Sequence, residues 1–135
     1  MNDCLFCKII NKEIPAIKVY EDEKTFAFLD INPVSSGHTL VIPKKHSRNI
    51  FDIEKEDLNA VMNTVQKLSI AMKKAVGVEG LNISNNNEKS AGQVIFHTHF
   101  HIVPRKTNDG LELWKGKPYS KGEAERVADK IKKEL

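Results

Sequence analysis

Three histidines at alternate positions, His97, His99 and His101, constrain this chain more than any other feature of its sequence. Side chains two residues apart on an extended strand point to the same side, so a strand here would carry all three imidazoles on one face. The neighbouring residues are mostly apolar or β-branched and predict such a strand over residues 94–103. Three ordinary surface histidines on an edge strand are one interpretation. Because histidine is a poor filler for a strand face, the pattern favours nucleophilic chemistry, a bound metal or an anionic ligand.

Length and composition bound the class of protein. A chain of 135 residues that is 40% hydrophobic and 29% charged is typical of one globular domain, which we assign to residues 1–135. No apolar run approaches the roughly 20 residues that a membrane span needs. The N-terminus lacks the basic start and apolar core of a signal peptide, so we expect a cytoplasmic protein with no membrane partner. The net charge of +3 is small and mixed, and we expect no nucleic-acid partner.

Hydrophobic periodicity predicts the order of the helices and strands. The most regular helix is predicted over residues 54–76 and ends at Gly77. A C-terminal helix is predicted to begin at Ser120, which would form a capping box with Glu123. Strands before and after one long helix predict an α+β fold with a mainly antiparallel sheet. Besides the histidine strand, the predicted strands are residues 17–21, 25–29, 39–43 and 81–84. The C-terminal helix is expected to present five apolar residues to the core: Ala124, Val127, Ala128, Ile131 and Leu135.

Two further segments carry polar residues suited to chemistry. Residues 85–93 consist largely of small and amide side chains, which tolerate unusual backbone angles and expose N–H donors. Such a loop can hold a phosphate, although an Asn-rich turn by itself is usually only a turn. Cys4 and Cys7 form a C-x-x-C pair. A structural disulfide is not expected in a reducing compartment, and the pair lacks the strand-to-helix context of a thioredoxin-like redox site.

Several motifs in chain order resemble the histidine triad superfamily, and its bacterial Hint-like branch in particular. The central motif is the run 91–103, in which Ala-Gly-Gln precedes His-x-His-x-His and two apolar residues follow. The resemblance extends through most of the chain and leaves only the C-terminal part unspecific. The other matching motifs are Phe6-Cys7-Lys8-Ile9-Ile10, Tyr20-Glu21-Asp22-Glu23, Phe28-Leu29-Asp30-Ile31-Asn32-Pro33 and Gly37-His38-Thr39-Leu40-Val41-Ile42-Pro43-Lys44-Lys45-His46.

The resemblance implies an enzyme that binds a purine nucleotide of the AMP or GMP type and attacks its α-phosphorus with an imidazole. Three histidines match the family's catalytic positions: His99 is the nucleophile, His101 contacts phosphate oxygens, and His38 orients the triad. A nucleotidyl-histidine intermediate would form on His99 and then be hydrolysed. The implied substrates are nucleoside phosphoramidates or dinucleoside polyphosphates. The alternative is a nucleotide-binding regulatory module with slow, incidental turnover. For His38 and His101 individually, the alternatives are the structural roles of a satisfied core histidine and a polar contact at a strand end.

The resemblance also implies a nucleotide-binding set. Asp30 matches the carboxylate that accepts both ribose hydroxyls, and its alternative role is to cap the turn at Asn32. Four matched positions form an apolar slot around the base, where the sequence alone would indicate plain core residues. The side-chain amides of Asn86 and Gln93 match groups that form hydrogen bonds to phosphate oxygens and to the leaving group. The slot is Phe6, Ile9, Phe28 and Ile31, and the phosphate-binding stretch contains Asn86, Gly92, Gln93 and Val94.

A zinc ion and a second subunit complete what the resemblance implies. In such proteins a C-x-x-C pair joins two histidines around zinc, and the matching residues are Cys4, Cys7, His46 and His97. Four ligands would make a closed site of the structural type. Two free buried thiols, or a catalytic metal on all three alternating histidines, are the alternatives. Relatives pair through the long helix and a strand, which implies a homodimer.

Two positions depart from the family pattern. Glu88 stands where this loop usually has glycine, and it brings a negative charge near a site for anions. Its side chain is expected either to point to solvent or to weaken binding. Val94 stands where a serine or threonine hydroxyl can protonate an amine leaving group. We therefore expect the valine to affect phosphoramidase activity more than nucleotidyl transfer to histidine.

Overall fold

The computed structural model of the protein describes residues 3–135. Met1 and Asn2, the first two residues of the predicted domain, lie outside the described residues. Within residues 3–135, none of the helices combines the length and apolar character that a membrane crossing requires. The helices are Leu5–Ile10 (α1), Lys55–Ala75 (α2) and Glu123–Lys133 (α3), with a 3₁₀ turn at Lys89–Ala91. The strands are Lys18–Glu21 (β1), Thr25–Leu29 (β2), Thr39–Pro43 (β3), Gly80–Ser84 (β4) and Phe100–Arg105 (β5).

The strands form an antiparallel sheet in the order β1-β2-β3-β5-β4. The chain leaves the sheet after β3, runs through α2, returns as the edge strand β4 and then inserts β5 between β3 and β4. This order confirms the predicted α+β class with a mainly antiparallel sheet. It also makes β3 and β5 neighbours, so residues far apart in the sequence meet at the centre of the sheet.

β2 and β3 are buried on both faces because a helix packs against each face, whereas β5 is fully buried at alternate residues only. Alternation along β5 places Phe100 and Ile102 on the α2 side, so His101 points to the α1 side. Each face therefore has its own apolar cluster. The cluster against α2 contains Ala27, Val41, Val61, Val65, Leu68, Phe100 and Ile102, and the cluster against α1 contains Phe6, Ile9, Phe26, Phe28, Leu40 and Ile42.

The histidine strand begins later than its sequence pattern predicts. Residues 95–97 form a bend, and β5 starts only at Phe100, so the prediction of a strand over residues 94–103 is wrong in its first half. In this stretch long-range hydrogen bonds replace strand pairing: the Thr98 N–H donates to the Ser47 carbonyl at 2.8 Å. The three imidazoles therefore do not form one row on a strand face.

The C-terminal helix also differs from its prediction. It begins at Glu123 rather than Ser120, and none of its residues is buried. Four of the five apolar residues expected in the core lie exposed or half-buried on this helix, with Ile131 59% exposed, and Leu135 lies beyond its end and is 97% exposed. The prediction used helical periodicity, which identifies an apolar stripe but not what covers it. Of the predicted capping box, the Glu123 half is present, because Glu123 Oε1 accepts the Ser120 N–H at 3.0 Å.

Candidate active site and metal centre

Pairing between β2, β3 and β5 brings polar side chains together near the C-terminal end of β2 and the N-terminal end of β3. Asp30 follows β2 and His38 precedes β3, and the Asp30 N–H donates to the His38 carbonyl at 2.9 Å. His101 on β5 pairs with Leu40 on β3. The sheet register therefore brings Asp30, His38 and His101 close enough for their ligating atoms to lie within 4.8 Å of one another.

Hydrogen bonds assign the tautomers of His38 and His101. The Val34 N–H donates to His38 Nδ1 at 3.1 Å, so the proton of a neutral His38 lies on Nε2. His38 Nε2 is 2.8 Å from His101 Nδ1 and donates to it. A neutral His101 consequently carries its own proton on Nε2. This relay begins at a backbone amide and fixes which nitrogen of His101 is a donor.

His99 has the opposite assignment, which leaves a free lone pair. Its Nδ1 is 2.8 Å from the His97 carbonyl, an acceptor only, so Nδ1 carries the proton and Nε2 is unprotonated. The ring is 6% exposed and packs edge-on against Phe6, with centroids 5.2 Å apart. The His101 ring lies 5.0 Å away between centroids. An imidazole nitrogen without a proton, held in one orientation, is a nucleophile.

Burial keeps these imidazoles neutral near pH 7. It is the main cause that lowers the pKa values of His38 and His99 below the ordinary 6.5. Asp30 opposes it at His38, and the bond to the His97 carbonyl, followed by Asp30, opposes it at His99. Burial, followed by the nearby His99 and His38, lowers the pKa of His101 to about 4. The tautomers assigned above therefore hold through the physiological pH range.

The other two histidines, His46 and His97, lie close to Cys4 and Cys7. The Nδ1 of His97 lies 3.4 Å from Cys4 Sγ, 3.6 Å from Cys7 Sγ and 3.1 Å from His46 Nδ1. Cys7 Sγ is 3.5 Å from His46 Nδ1. All four ligand atoms lie within 4.8 Å of one another, so the structure brings together the residues predicted to bind zinc.

The dimensions of this cluster fit a tetrahedral zinc ion. Zinc bonds of about 2.3 Å to sulfur and about 2.0 Å to nitrogen imply ligand separations of roughly 3.5 Å for S···N and 3.3 Å for N···N. His97 Nε2 lies 2.8 Å from the Pro43 carbonyl, which places the proton there and leaves Nδ1 free for a metal. Burial, followed by the hydrogen bond that the Cys7 thiol donates to Cys4, raises the pKa of that thiol to about 11, so metal binding must displace its proton.

The predicted nucleotide-binding residues occupy several environments. Phe6, Ile9 and Phe28 pack together in the α1-side cluster, whereas Ile31 is 86% exposed. For Asp30 the structure shows one of the two predicted roles, the cap of the turn at Asn32. Its Oδ1 accepts the Asn32 N–H at 2.8 Å and caps the turn, while its Oδ2 lies 3.8 Å from His38 Nε2.

Contacts within the protein fix the backbone and the Gln93 side chain of the 85–93 loop. Gly92 has a φ of +90°, and a Cβ placed there would lie 3.6 Å from the Asn86 amide nitrogen. The Gln93 amide is saturated by protein groups. Its Nε2 donates to the Arg48 and Ile95 carbonyls, and its Oε1 accepts the Glu88 N–H. A direct bond from Gln93 to phosphate would require one of these contacts to break. Val94 is 79% exposed.

Two residues that contact this loop, Arg48 and Asn49, were not predicted from the sequence. Arg48 and Asn49 both bond the carboxylate of Glu88, so that side chain neither points freely into solvent nor stays unpaired. These contacts, the bond from Arg48 first, lower the pKa of Glu88. A charged residue at a position that usually holds glycine is a signal that a compensating cation lies nearby, but nothing local in the sequence identifies Arg48.

The chain is similar in sequence to several known proteins. An uncharacterized HIT-like protein of Borreliella burgdorferi is 48% identical over 118 residues, which are 86% of this chain and 85% of the relative. An adenosine 5′-monophosphoramidase of Schizosaccharomyces pombe is 37% identical over 134 residues, 98% of each chain. An adenylylsulfatase of Arabidopsis thaliana is 47% identical over 110 residues, 82% of this chain and 56% of the relative.

The chain is also similar in fold to solved structures. A crystal structure of SMU.412c from Streptococcus mutans has a TM-score of 0.94 at 44% identity and covers 99% of this chain and 86% of that one. A Zn-bound histidine triad family protein from Mycobacterium smegmatis has a TM-score of 0.79 at 34% identity and covers 99% of both chains. The HIT domain matches residues 11–108 of this chain. This protein is a member of the HIT domain family, the histidine triad superfamily.

Proposed function

We propose that this chain, as a single domain over residues 1–135, is a nucleotide hydrolase that works through a nucleotidyl-histidine intermediate on His99. The observation that carries the proposal is the hydrogen bond from His99 Nδ1 to the His97 carbonyl at 2.8 Å. It leaves Nε2 of a buried, neutral imidazole unprotonated and beside His101. An oriented and unprotonated nitrogen is what attack on phosphorus requires.

The reaction forms a bond from His99 Nε2 to the α-phosphorus as the bond to the leaving group breaks. A departing amine takes up a proton, whereas a polyphosphate leaves as an anion. Water then attacks the same phosphorus, loses a proton and releases the nucleoside monophosphate and free His99. The His101 Nε2–H, fixed by His38, donates to the phosphate oxygens as their charge increases, and backbone N–H groups of residues 85–93 assist it.

The names of relatives support an adenylyl substrate with a variable leaving group. One relative is an adenosine 5′-monophosphoramidase and another is an adenylylsulfatase. Their names share the adenylyl group and differ in the group attached to it. We infer for this chain a purine nucleotide of the AMP type, with Asp30 at the ribose and Phe6, Ile9, Phe28 and Ile31 around the base. The phosphate would lie against Asn86, Gly92, Gln93 and Val94.

Zinc and a second subunit form part of the proposal. Cys4, Cys7, His46 and His97 would hold zinc as a structural cross-link between α1, the end of β3 and the bend before β5, with no role in a chemical step. A homodimer would pair edge strand β4 and the exposed side of α2. Apolar residues on these surfaces support it: Ile83 is 46%, Met62 39% and Ile70 55% exposed. A cytoplasmic location is consistent with reduced zinc-binding thiols.

The intermediate gives a direct test. Phosphoramidates survive alkali, so labelled nucleotide mixed with the protein and quenched at high pH should stay attached to the chain. His99→Gln should lose the label and the turnover but still bind AMP, because an amide can retain the bond to the His97 carbonyl but cannot attack phosphorus. His46→Asn is the matched control and should retain the label per folded molecule.

Two results would contradict the proposal. Near wild-type turnover in His99→Gln would exclude His99 as the nucleophile. Loss of all activity on complete chelation, with the chain still folded, would indicate a catalytic metal instead. Tight AMP binding with a labelled intermediate that hydrolyses very slowly would favour the regulatory module over the hydrolase.

A further inference from the structure

Glu88 occupies a backbone conformation that suits glycine. Its φ of 75° and ψ of 159° lie in a region that other residues almost never adopt. A strained residue of this kind persists only where its surroundings over-determine the backbone. The Glu88 carbonyl accepts the N–H groups of Ala91 at 3.0 Å and of Gln93 at 3.2 Å. The strained residue therefore organises the turn that contains Gly92.

The side chain of Glu88 provides the contacts that hold it there. Its carboxylate accepts two hydrogen bonds from Arg48, from Nε at 2.9 Å and from Nη2 at 3.1 Å, and a further one from Asn49 Nδ2. The two Arg48 bonds fix the direction of the carboxylate as well as pairing its charge. Asn49 is 1% exposed, so this third partner of the carboxylate lies in the protein interior, whereas the Arg48 and Glu88 side chains are 52% and 42% exposed.

Arg48 is itself held from several sides. Its guanidinium carbon lies 4.3 Å from the ring centroid of Phe96, the residue before His97. Its backbone N–H donates to Asp52 Oδ2 at 3.0 Å, and its carbonyl accepts Gln93 Nε2 at 2.7 Å. A single arginine thus joins the 85–93 loop to the bend at residues 95–97.

We propose that Arg48 is a positioning residue whose ion pair with Glu88 holds the 85–93 loop in its binding conformation and neutralises a carboxylate that would otherwise repel the phosphate of the substrate. This inference rests on the proposed function, because the loop contacts His99 through the bond from Asn85 Nδ2 to the His99 carbonyl at 2.8 Å. Arg48 does not touch the nucleotide in this scheme. It is required only because residue 88 is glutamate, and a chain with glycine at position 88 would not need it.

The test is a double-mutant cycle with Arg48→Ala, Glu88→Gly and the double variant. We expect Arg48→Ala to weaken AMP binding and raise KM about tenfold, with a smaller effect on kcat, because an unpaired carboxylate repels the anion in the ground state as well. The double variant should recover AMP affinity to within about twofold of Glu88→Gly, because glycine removes both the charge and the strain. The control is Arg105→Ala, which breaks a two-bond pair with Asp109 and should leave AMP affinity unchanged. Arg105 pairs with Gly80 at the start of β4, whereas the 85–93 loop follows the other end of that strand.

Failure to recover affinity in the double variant would overturn the proposal, because it would mean that Arg48 contacts the nucleotide itself. Unchanged AMP affinity in Arg48→Ala would overturn it too. Amide hydrogen exchange at Ala91, Gly92 and Gln93 separates this inference from the proposed function, since it needs no nucleotide. Arg48→Ala should accelerate exchange about fivefold or more in the wild-type background and by less than about twofold in the Glu88→Gly background. If the wild type bound no AMP, the proposed function would fail, and the exchange data would still support or refute the loop-holding role.

Discussion

Acid should destabilise this protein through His101, and replacing His101 by glutamine should remove a defined part of that sensitivity. Burial, with His99 and His38 nearby, lowers the pKa of His101 from 6.5 to about 4. In the unfolded chain the imidazole returns to its ordinary pKa. Between those two pH values the unfolded state binds more protons than the folded state, so stability rises with pH across the window and is lost as the pH falls.

The shift sets the magnitude. Each pKa unit corresponds to about 1.4 kcal/mol, so a pKa that falls from 6.5 to about 4 limits the contribution of His101 to roughly 3 kcal/mol. Linkage over the accessible range, from about pH 7 to about pH 5, gives a loss of about 2 kcal/mol from this group alone. A loss of that size is a large fraction of the stability of a small domain.

Urea unfolding of wild type and His101→Gln at several pH values measures this difference. Far-UV circular dichroism is the suitable probe, because Trp114 is 96% exposed and its fluorescence would report folding poorly. Glutamine is a conservative choice, since its carbonyl oxygen can accept the bond from His38 Nε2. The free energy of unfolding of the wild type should fall about 2 kcal/mol further than that of the variant on acidification. Parallel pH profiles would show that His101 titrates alike in both states and would refute the reasoning.

Three further predictions concern the metal, the leaving group and the assembly. Cys4→Ser should lower the melting temperature more than the activity per folded molecule, and elemental analysis showing no zinc in wild type with both thiols titratable would contradict the structural site. Val94→Ser should raise the rate on phosphoramidates by up to about 10²-fold and on dinucleoside polyphosphates much less, because only an amine needs a proton; equal effects would exclude the missing hydroxyl as the acid. Sedimentation should give about twice the chain mass of 15.3 kDa, and a mass near one chain would exclude the homodimer.

Local patterns in the sequence determined most of the elements. The prediction for β3, residues 39–43, matches the structure residue for residue, and the long helix differs by one residue at each end. These elements follow from periodicity and from a helix-ending glycine, which act over a few neighbouring residues. The metal and reaction-centre sets were available only through the resemblance, because nothing local relates Cys4 to His97 or His38 to His101.

The tertiary structure decided where the alternating histidines point. Thr98 bonds the Ser47 carbonyl and His97 bonds the Pro43 carbonyl, so the chain bends before β5 and His97 leaves the strand for the cysteine cluster. Residues two apart share a face only while the backbone stays extended, and contacts across more than fifty positions override that local preference. The Arg48–Glu88 pair was unpredictable for the same reason. Its partners are 40 residues apart, and only the folded chain brings them within hydrogen-bonding distance.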